Sequence, residues 1–221
     1  MYFKYSPPKK LIVFDLDHTL ISTNTSYCYL KTLYQRGALS ISVLLRAALL
    51  KCRYYATSMT LEKLHYVVFD RMLRGFSLEA LEKHIDDLLD KLLPGSLYLP
   101  AYQELTAAKE RGDHTVLLSS SPDFLVRRFA SYFGIDSWEG TAYSIDQERR
   151  LCKIAKLIVG TTKKGCLLRL QEKLGIPKQN VVVYTDSHDD IPLLLEAGEA
   201  VAVNPDRKLA KLAKLNKWRI I

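Results

Sequence analysis

Asp15 and Asp17 stand two residues apart at the end of the apolar run LIVFD, and Asp186 and Asp190 follow a second such run, VVVYT, in the segment TDSHDDIPLL. In extended backbone, residues i and i+2 share a face, so both carboxylates of the first pair can project into one site. Like charges at that spacing need a cation or a shared proton. A hard cation such as Mg²⁺ satisfies them and keeps coordination places for phosphate oxygen and water. Each cluster also has a plainer reading. Asp-x-Asp-x-Thr makes a polar turn, and Ser187, Asp189 or Asp190 can cap a helix that begins near Pro192. Two such clusters in one chain favour the metal.

Two further segments could bind an anion. Ser119 follows the run HTVLL, and the next residues predict Ser121 as a helix cap with Pro122 in the first turn and an end near Gly134. A helix N-terminus offers free N–H groups and the positive end of a dipole, and a serine hydroxyl beside it adds a donor. Lys163 and Lys164 open a helical pattern carried by Leu167, Leu170 and Leu174 and ended by Gly175 and Pro177. Lysines in a first turn oppose the helix dipole, so an anionic neighbour is expected for at least one of them.

The elements that must position these residues are short apolar runs. Residues 11–15, 114–118, 181–185 and 200–204 read as buried strands, with helical patterns between the later ones. That alternation predicts an α/β fold with a parallel sheet covered on both faces. Residues 22–98 break the rhythm, being helical in pattern, without a convincing strand and too long for one crossover. They read as an inserted helical unit, with 1–21 and 99–221 forming the core. Within the insert, residues 30–50 are rich in Leu, Ala and Tyr but interrupted by Lys31, Arg36 and Arg46, which argues against a spanning helix. A core helix is expected there, with a basic amphipathic helix on a membrane surface as the alternative.

With 221 residues, of which 48% are hydrophobic and 25% charged, the chain falls outside the disordered, collagen-like and disulfide-scaffold classes. Its four cysteines form no CxxC pair, and the N-terminal segment lacks an apolar signal core. A reduced, cytoplasmic setting is the simplest expectation. A net charge of +8 favours acidic partners: phosphorylated metabolites, nucleic acid or an anionic membrane. The aromatic residues do not interleave with basic ones as a nucleic-acid stacking surface requires, so no nucleic-acid partner is expected.

FDLDHTL, LLSSSP, the lysine helix and YTDSHDDIPLL occur in the order of the four motifs of the haloacid-dehalogenase-like phosphohydrolase superfamily. The set most resembles the phosphoserine-phosphatase-like branch of that superfamily. The tail, an Asn-Pro turn followed by a helix and a late Trp, is similar to the ending of that branch. The resemblance implies a Rossmann-like core with an all-helical cap domain inserted after the first strand, where 22–98 lies. It implies Asp15 as a nucleophile forming an aspartyl-phosphate and Asp17 as general acid and base. It places Mg²⁺ on Asp15, the backbone carbonyl of Asp17, and Asp186, with Asp190 supporting the site. Ser119 and Lys163 would bind phosphoryl oxygens, with Lys164 the alternative lysine, and Thr19 would steady the turn.

The resemblance also has departures. His18 stands where glycine is commonest. Asn24 stands where true phosphoserine phosphatases carry the glutamate that binds the substrate ammonium, and a neutral amide cannot pair with an ammonium as a carboxylate does. The expected activity is therefore hydrolysis of a small phosphomonoester other than phosphoserine. The alternatives are a membrane-surface lipid phosphate phosphatase, of the phosphatidylglycerol-phosphate type, and a non-catalytic phosphate- or partner-binding protein.

Overall fold

A computed structural model describes residues 9–57 and 59–221. Seven strands form one sheet in the order β4-β3-β2-β1-β5-β6-β7, with β1 (Leu11–Phe14) and β5 (Val181–Thr185) at its centre. β2 (His114–Pro122) flanks β1 on the other side, followed by β3 (Ser137–Ile145) and β4 (Leu151–Lys156). β6 (Glu199–Ala202) and the two-residue β7 (Arg219–Ile220) complete the opposite edge. All neighbours run parallel except β3 and β4, which form an antiparallel hairpin. Central parallel strands are covered on both faces and so read as unbroken apolar runs. The four residues of β1 and the five of β5 are all buried.

Side-chain alternation splits the core into two clusters. Ile12 and Phe14 face one side with Tyr184 and Val201, and Leu11 and Val13 face the other with Val183 and Ala202. Helix α8 (Gly160–Leu174) covers the second side together with α9 (Ile191–Leu194) and α10 (Arg207–Asn216). The first side takes α6 (Leu99–Glu110), α7 (Asp123–Phe133) and the helical insert.

Between β1 and α6 the chain is helical: α1 (Thr25–Gln35), α2 (Ile41–Ala56), α3 (Leu61–Val68), a π turn, α4 (Leu78–Glu82) and α5 (Ile85–Ser96). Residues 30–50 therefore belong to two helices rather than one, parted by a turn in which Gly37 takes a φ of +71°. α1 buries Tyr29 and Leu33, whereas among the described side chains of α2 only Leu50 is buried. No helix among the described residues is long and apolar enough to cross a membrane.

The insert is fastened to the sheet. Tyr29, Leu33, Phe69, Leu81, Ile85 and Leu88 share a cluster with Phe124, Val126 and Phe129. Arg127 and Arg128 of α7 pair with Glu82 and Asp86. Residues 73–78 join the β3–β4 hairpin through backbone bonds from Gly75 N–H to Leu151 O (2.8 Å), Leu151 N–H to Phe76 O (2.9 Å) and Leu78 N–H to Arg149 O (3.0 Å). That contact makes residues 73–78 a brace between the insert and the sheet edge.

The β3–β4 hairpin was not among the strands expected. Its strands lie at the sheet edge with mixed burial, so they lack the continuous apolar run of the central strands.

Candidate active site

Asp15 directly follows β1, and its N–H donates to Tyr184 O at 2.9 Å, so the end of β5 holds it in place. The chain then turns back on itself, with Thr19, Leu20 and Ile21 all donating to Leu16 O. His18 takes a φ of +58° in this turn, a left-handed conformation that glycine adopts without a β-carbon clash and that His enters more readily than most other residues.

Lys163 reaches across from the first turn of α8. Its ammonium donates to Asp15 Oδ1 at 3.0 Å and to Asp190 Oδ2 at 2.7 Å, and its side chain is only 4% exposed. Burial alone would lower the lysine pKa, but the two carboxylates outweigh it and hold Lys163 above its ordinary value. Lys164 points away to Glu196, at 2.6 Å and half-exposed. Both lysines thus have an anionic neighbour, buried carboxylates for Lys163 and a surface one for Lys164.

Asp190 is buried and also accepts from Thr185 Oγ1 at 2.8 Å. It occupies the cap position of α9, yet its carboxylate makes no cap bond. Ser187 does the local capping, accepting from Asp189 N–H at 3.2 Å. Ser187 thus caps the short 3-10 turn at 188–190 and not the helix near Pro192, while Asp190 turns inward.

Asp186 follows β5 and receives Thr19 Oγ1 at 3.5 Å. Burial pushes its carboxyl up to about 8, with the Asp15 charge adding, Lys163 opposing and Asp190 adding again. The Asp15 carboxyl is pushed up to about 7, by burial first, against Lys163 and with Asp190 and Asp17 adding. Two carboxylates held in a desolvated site form a donor set suited to a divalent cation. Among the described residues no three His, Cys, Asp or Glu side chains converge as a metal cage. The acidic pair fits a hard ion such as Mg²⁺, which takes one or two carboxylates and fills its shell with carbonyl, phosphate and water oxygens.

Asp17 accepts from Thr25 N–H at 2.6 Å and from Ser121 Oγ at 2.8 Å. Ser121 also meets Ser26 Oγ at 2.9 Å. Ser121 does not cap α7, where Pro122 occupies the cap position and makes no side-chain bond. A serine just before a helix signals a cap in sequence, and only the approach of β2 to the turn after β1 redirects it. Ser119 is buried at the same strand end, its Oγ accepting from Ser121 N–H at 3.2 Å.

Three residues near the site carried no sequence signal. Thr25 begins the first helix of the insert and gives Asp17 its backbone N–H. His65 of α3 is half-buried and close enough to Lys163 to feel its charge; burial and that charge push its imidazole down to about 4. Asp206 ties the acidic loop to α10: its N–H donates to Asp186 O at 2.9 Å, and its carboxylate accepts from His188 N–H at 2.9 Å and bonds His188 Nδ1 at 2.7 Å. Asn24 caps α1, its amide oxygen accepting from Tyr27 N–H at 2.9 Å. That oxygen is therefore engaged in holding the insert's first helix.

Comparison with known proteins bears on the family and the fold. A probable phosphatase of Mycobacterium tuberculosis is 25% identical over 215 residues, covering 94% of this chain and 73% of that protein. A histidinol-phosphatase of Neisseria meningitidis is 27% identical over 242 residues, covering 96% and 98%. A protein of unknown function from Bordetella pertussis shares the fold with a TM-score of 0.86 at 22% identity, covering 97% of this chain and 98% of that one. A substrate-bound phosphoserine phosphatase superposes with a TM-score of 0.71 at 18% identity, over 98% and 94%. The haloacid dehalogenase-like hydrolase family matches residues 12–195, a span that holds Asp15, Asp17, Ser119, Lys163, Asp186 and Asp190, and the chain belongs to that family of enzymes.

Proposed function

We propose that the protein is a Mg²⁺-dependent phosphatase that hydrolyses a small phosphomonoester through an aspartyl-phosphate on Asp15. The observation that carries this reading is the buried Lys163 ammonium, shared between Asp15 and Asp190 at the ends of the two central strands. A lysine so placed can hold Asp15 anionic and also meet a phosphoryl oxygen.

In this reading an Asp15 carboxylate oxygen attacks phosphorus in line, and the bond from phosphorus to the ester oxygen breaks. Asp17 gives its proton to the departing alkoxide. It then takes a proton from the water that attacks the aspartyl-phosphate, releasing phosphate and restoring Asp15. Thr25 N–H and Ser121 Oγ fix the direction of the Asp17 carboxylate through both steps. Ser119 and Lys163 bind phosphoryl oxygens. Mg²⁺, held by Asp15, Asp186 and the Asp17 carbonyl, would offset charge on the phosphoryl group. Residues 22–98 serve as the cap, and from it His65 comes close enough to Lys163 to feel its charge.

The relatives named as phosphatases support the reaction class. Asn24 weighs against phosphoserine, since its oxygen is spent on the α1 cap and it carries no charge for an ammonium. The test is phosphate release with Mg²⁺ from a panel of phosphomonoesters that includes histidinol phosphate, phosphoserine and lipid phosphates, with Asp15→Asn in parallel. Activity that survives Asp15→Asn would remove the mechanism.

A further inference from the structure

Helix α2 exposes three of its large apolar side chains. Ile41, Leu45 and Leu49 are 51%, 59% and 69% exposed, on a chain that buries most residues of these types. At 3.6 residues per turn they share an arc of about 100° with Ala48 and Cys52. Lys51 lies on one side of that arc, and Arg46 and Arg53 lie on the other, all exposed. Lys51 and Lys31 both sit over the Tyr27 ring, at 5.7 and 5.0 Å, which extends the cationic border onto α1. No acidic residue occurs between Asp17 and Glu62.

We propose that α2 docks this protein on an anionic lipid bilayer, lying in the plane of the interface. The apolar arc would enter the boundary between headgroups and acyl chains, and the flanking cations would meet lipid phosphates while their stems cover the edge of the arc. Charge selects this occupant. A second copy seated on the same face would bring Arg46, Lys51 and Arg53 against their own equivalents, with no acid on α2 to answer them. A flat anionic surface answers cations on both borders at once. The docking is independent of the catalytic reading, because none of these residues touches Asp15, Asp17, Lys163 or Asp186.

The test is co-sedimentation of the full chain with vesicles of phosphatidylcholine alone and of phosphatidylcholine mixed with phosphatidylglycerol, at low and high salt. The wild type is expected to bind only the anionic vesicles and to be released by salt. Leu45→Ser with Leu49→Ser is expected to weaken binding by about tenfold or more, through lost burial of apolar surface. Arg46→Glu and Arg53→Glu are each expected to weaken it by about fivefold or more. Circular dichroism melts and phosphate release from a soluble monoester should match the wild type in all variants. No binding to anionic vesicles at low salt would overturn the proposal, as would equal binding by wild type and the Leu45, Leu49 variant. A wild-type dimer that this variant makes monomeric would also overturn it, assigning the face to a second copy. An inactive protein that still binds anionic vesicles would reject the phosphatase reading and leave the docking standing.

Discussion

At the carboxyl ends of β1 and β5, Lys163 is buried and bonded to the buried Asp15 and Asp190, whereas along α2 Ile41, Leu45 and Leu49 are more than half exposed. The first region packs charge where water is scarce, and the second leaves apolar surface where water is plentiful. Each inverts the usual distribution of residue types. In the first, every inversion has a partner in the fold: Asp15 has Lys163, Asp190 has Lys163 and Thr185, and Asp17 has Thr25 and Ser121. In the second no partner is present among the described residues. Chemistry is therefore built into the sheet, while the outer helices of the insert are shaped for something that meets the protein from outside.

The largest effect expected from breaking this contrast is at Asp15. Asp15→Asn should lower kcat by about a thousandfold or more. It should leave the melting temperature equal or higher, because it removes a carboxylate whose charged form burial opposes. A thermal melt beside the phosphate-release assay separates lost chemistry from lost fold.

The two lysines sharpen the contrast within a single helical turn. Lys163→Met strips the shared cation from two buried carboxylates and should cost about 3–5 kcal/mol of stability in urea unfolding. Lys164→Met removes a solvent-screened surface pair and should cost far less. Equal costs would contradict the burial difference between them.

Ser121→Ala removes one of the two donors to Asp17 and should lower kcat about tenfold with KM little changed. An unchanged kcat would mean that Thr25 N–H alone fixes the carboxylate.

His65 gives the smallest effect and tests the junction of the two regions. Its folded value is depressed to about 4, below the ordinary 6.5, so the unfolded chain binds the proton first. Its contribution to stability is intact above the unfolded value and falls as pH drops from 6.5 toward 4. His65→Asn should therefore gain in melting temperature relative to wild type as pH is lowered across that window. A difference that stays constant with pH would show that His65 is not held neutral.

Much of this architecture is readable in sequence because central parallel strands are apolar along their whole length. β1, β2, β5 and β6 appear as such runs, and the helical stretch between the first two stands out by length. The acids at strand ends were visible for the same reason, since an abrupt Asp after a buried run is conspicuous. The β3–β4 hairpin was not, because its edge strands mix exposed and buried positions and take part of their pairing from the insert. The cap reading of Ser121 was locally sound, but the residue sits one place before the cap and its hydroxyl donates to the Asp17 carboxylate, 104 residues away in the chain.

The sequence by itself determined the order of elements, the carboxylates at the strand ends and the unusual basicity around α2, because these depend on residue type and short-range spacing. Only the tertiary structure decided that Lys163 rather than Lys164 turns inward, that Ser121 and Thr25 hold Asp17, that Asn24 caps α1, and which face of α2 stays in water. Those outcomes depend on which groups from distant segments compete for the same few ångströms. Spacing along a chain carries no record of that competition.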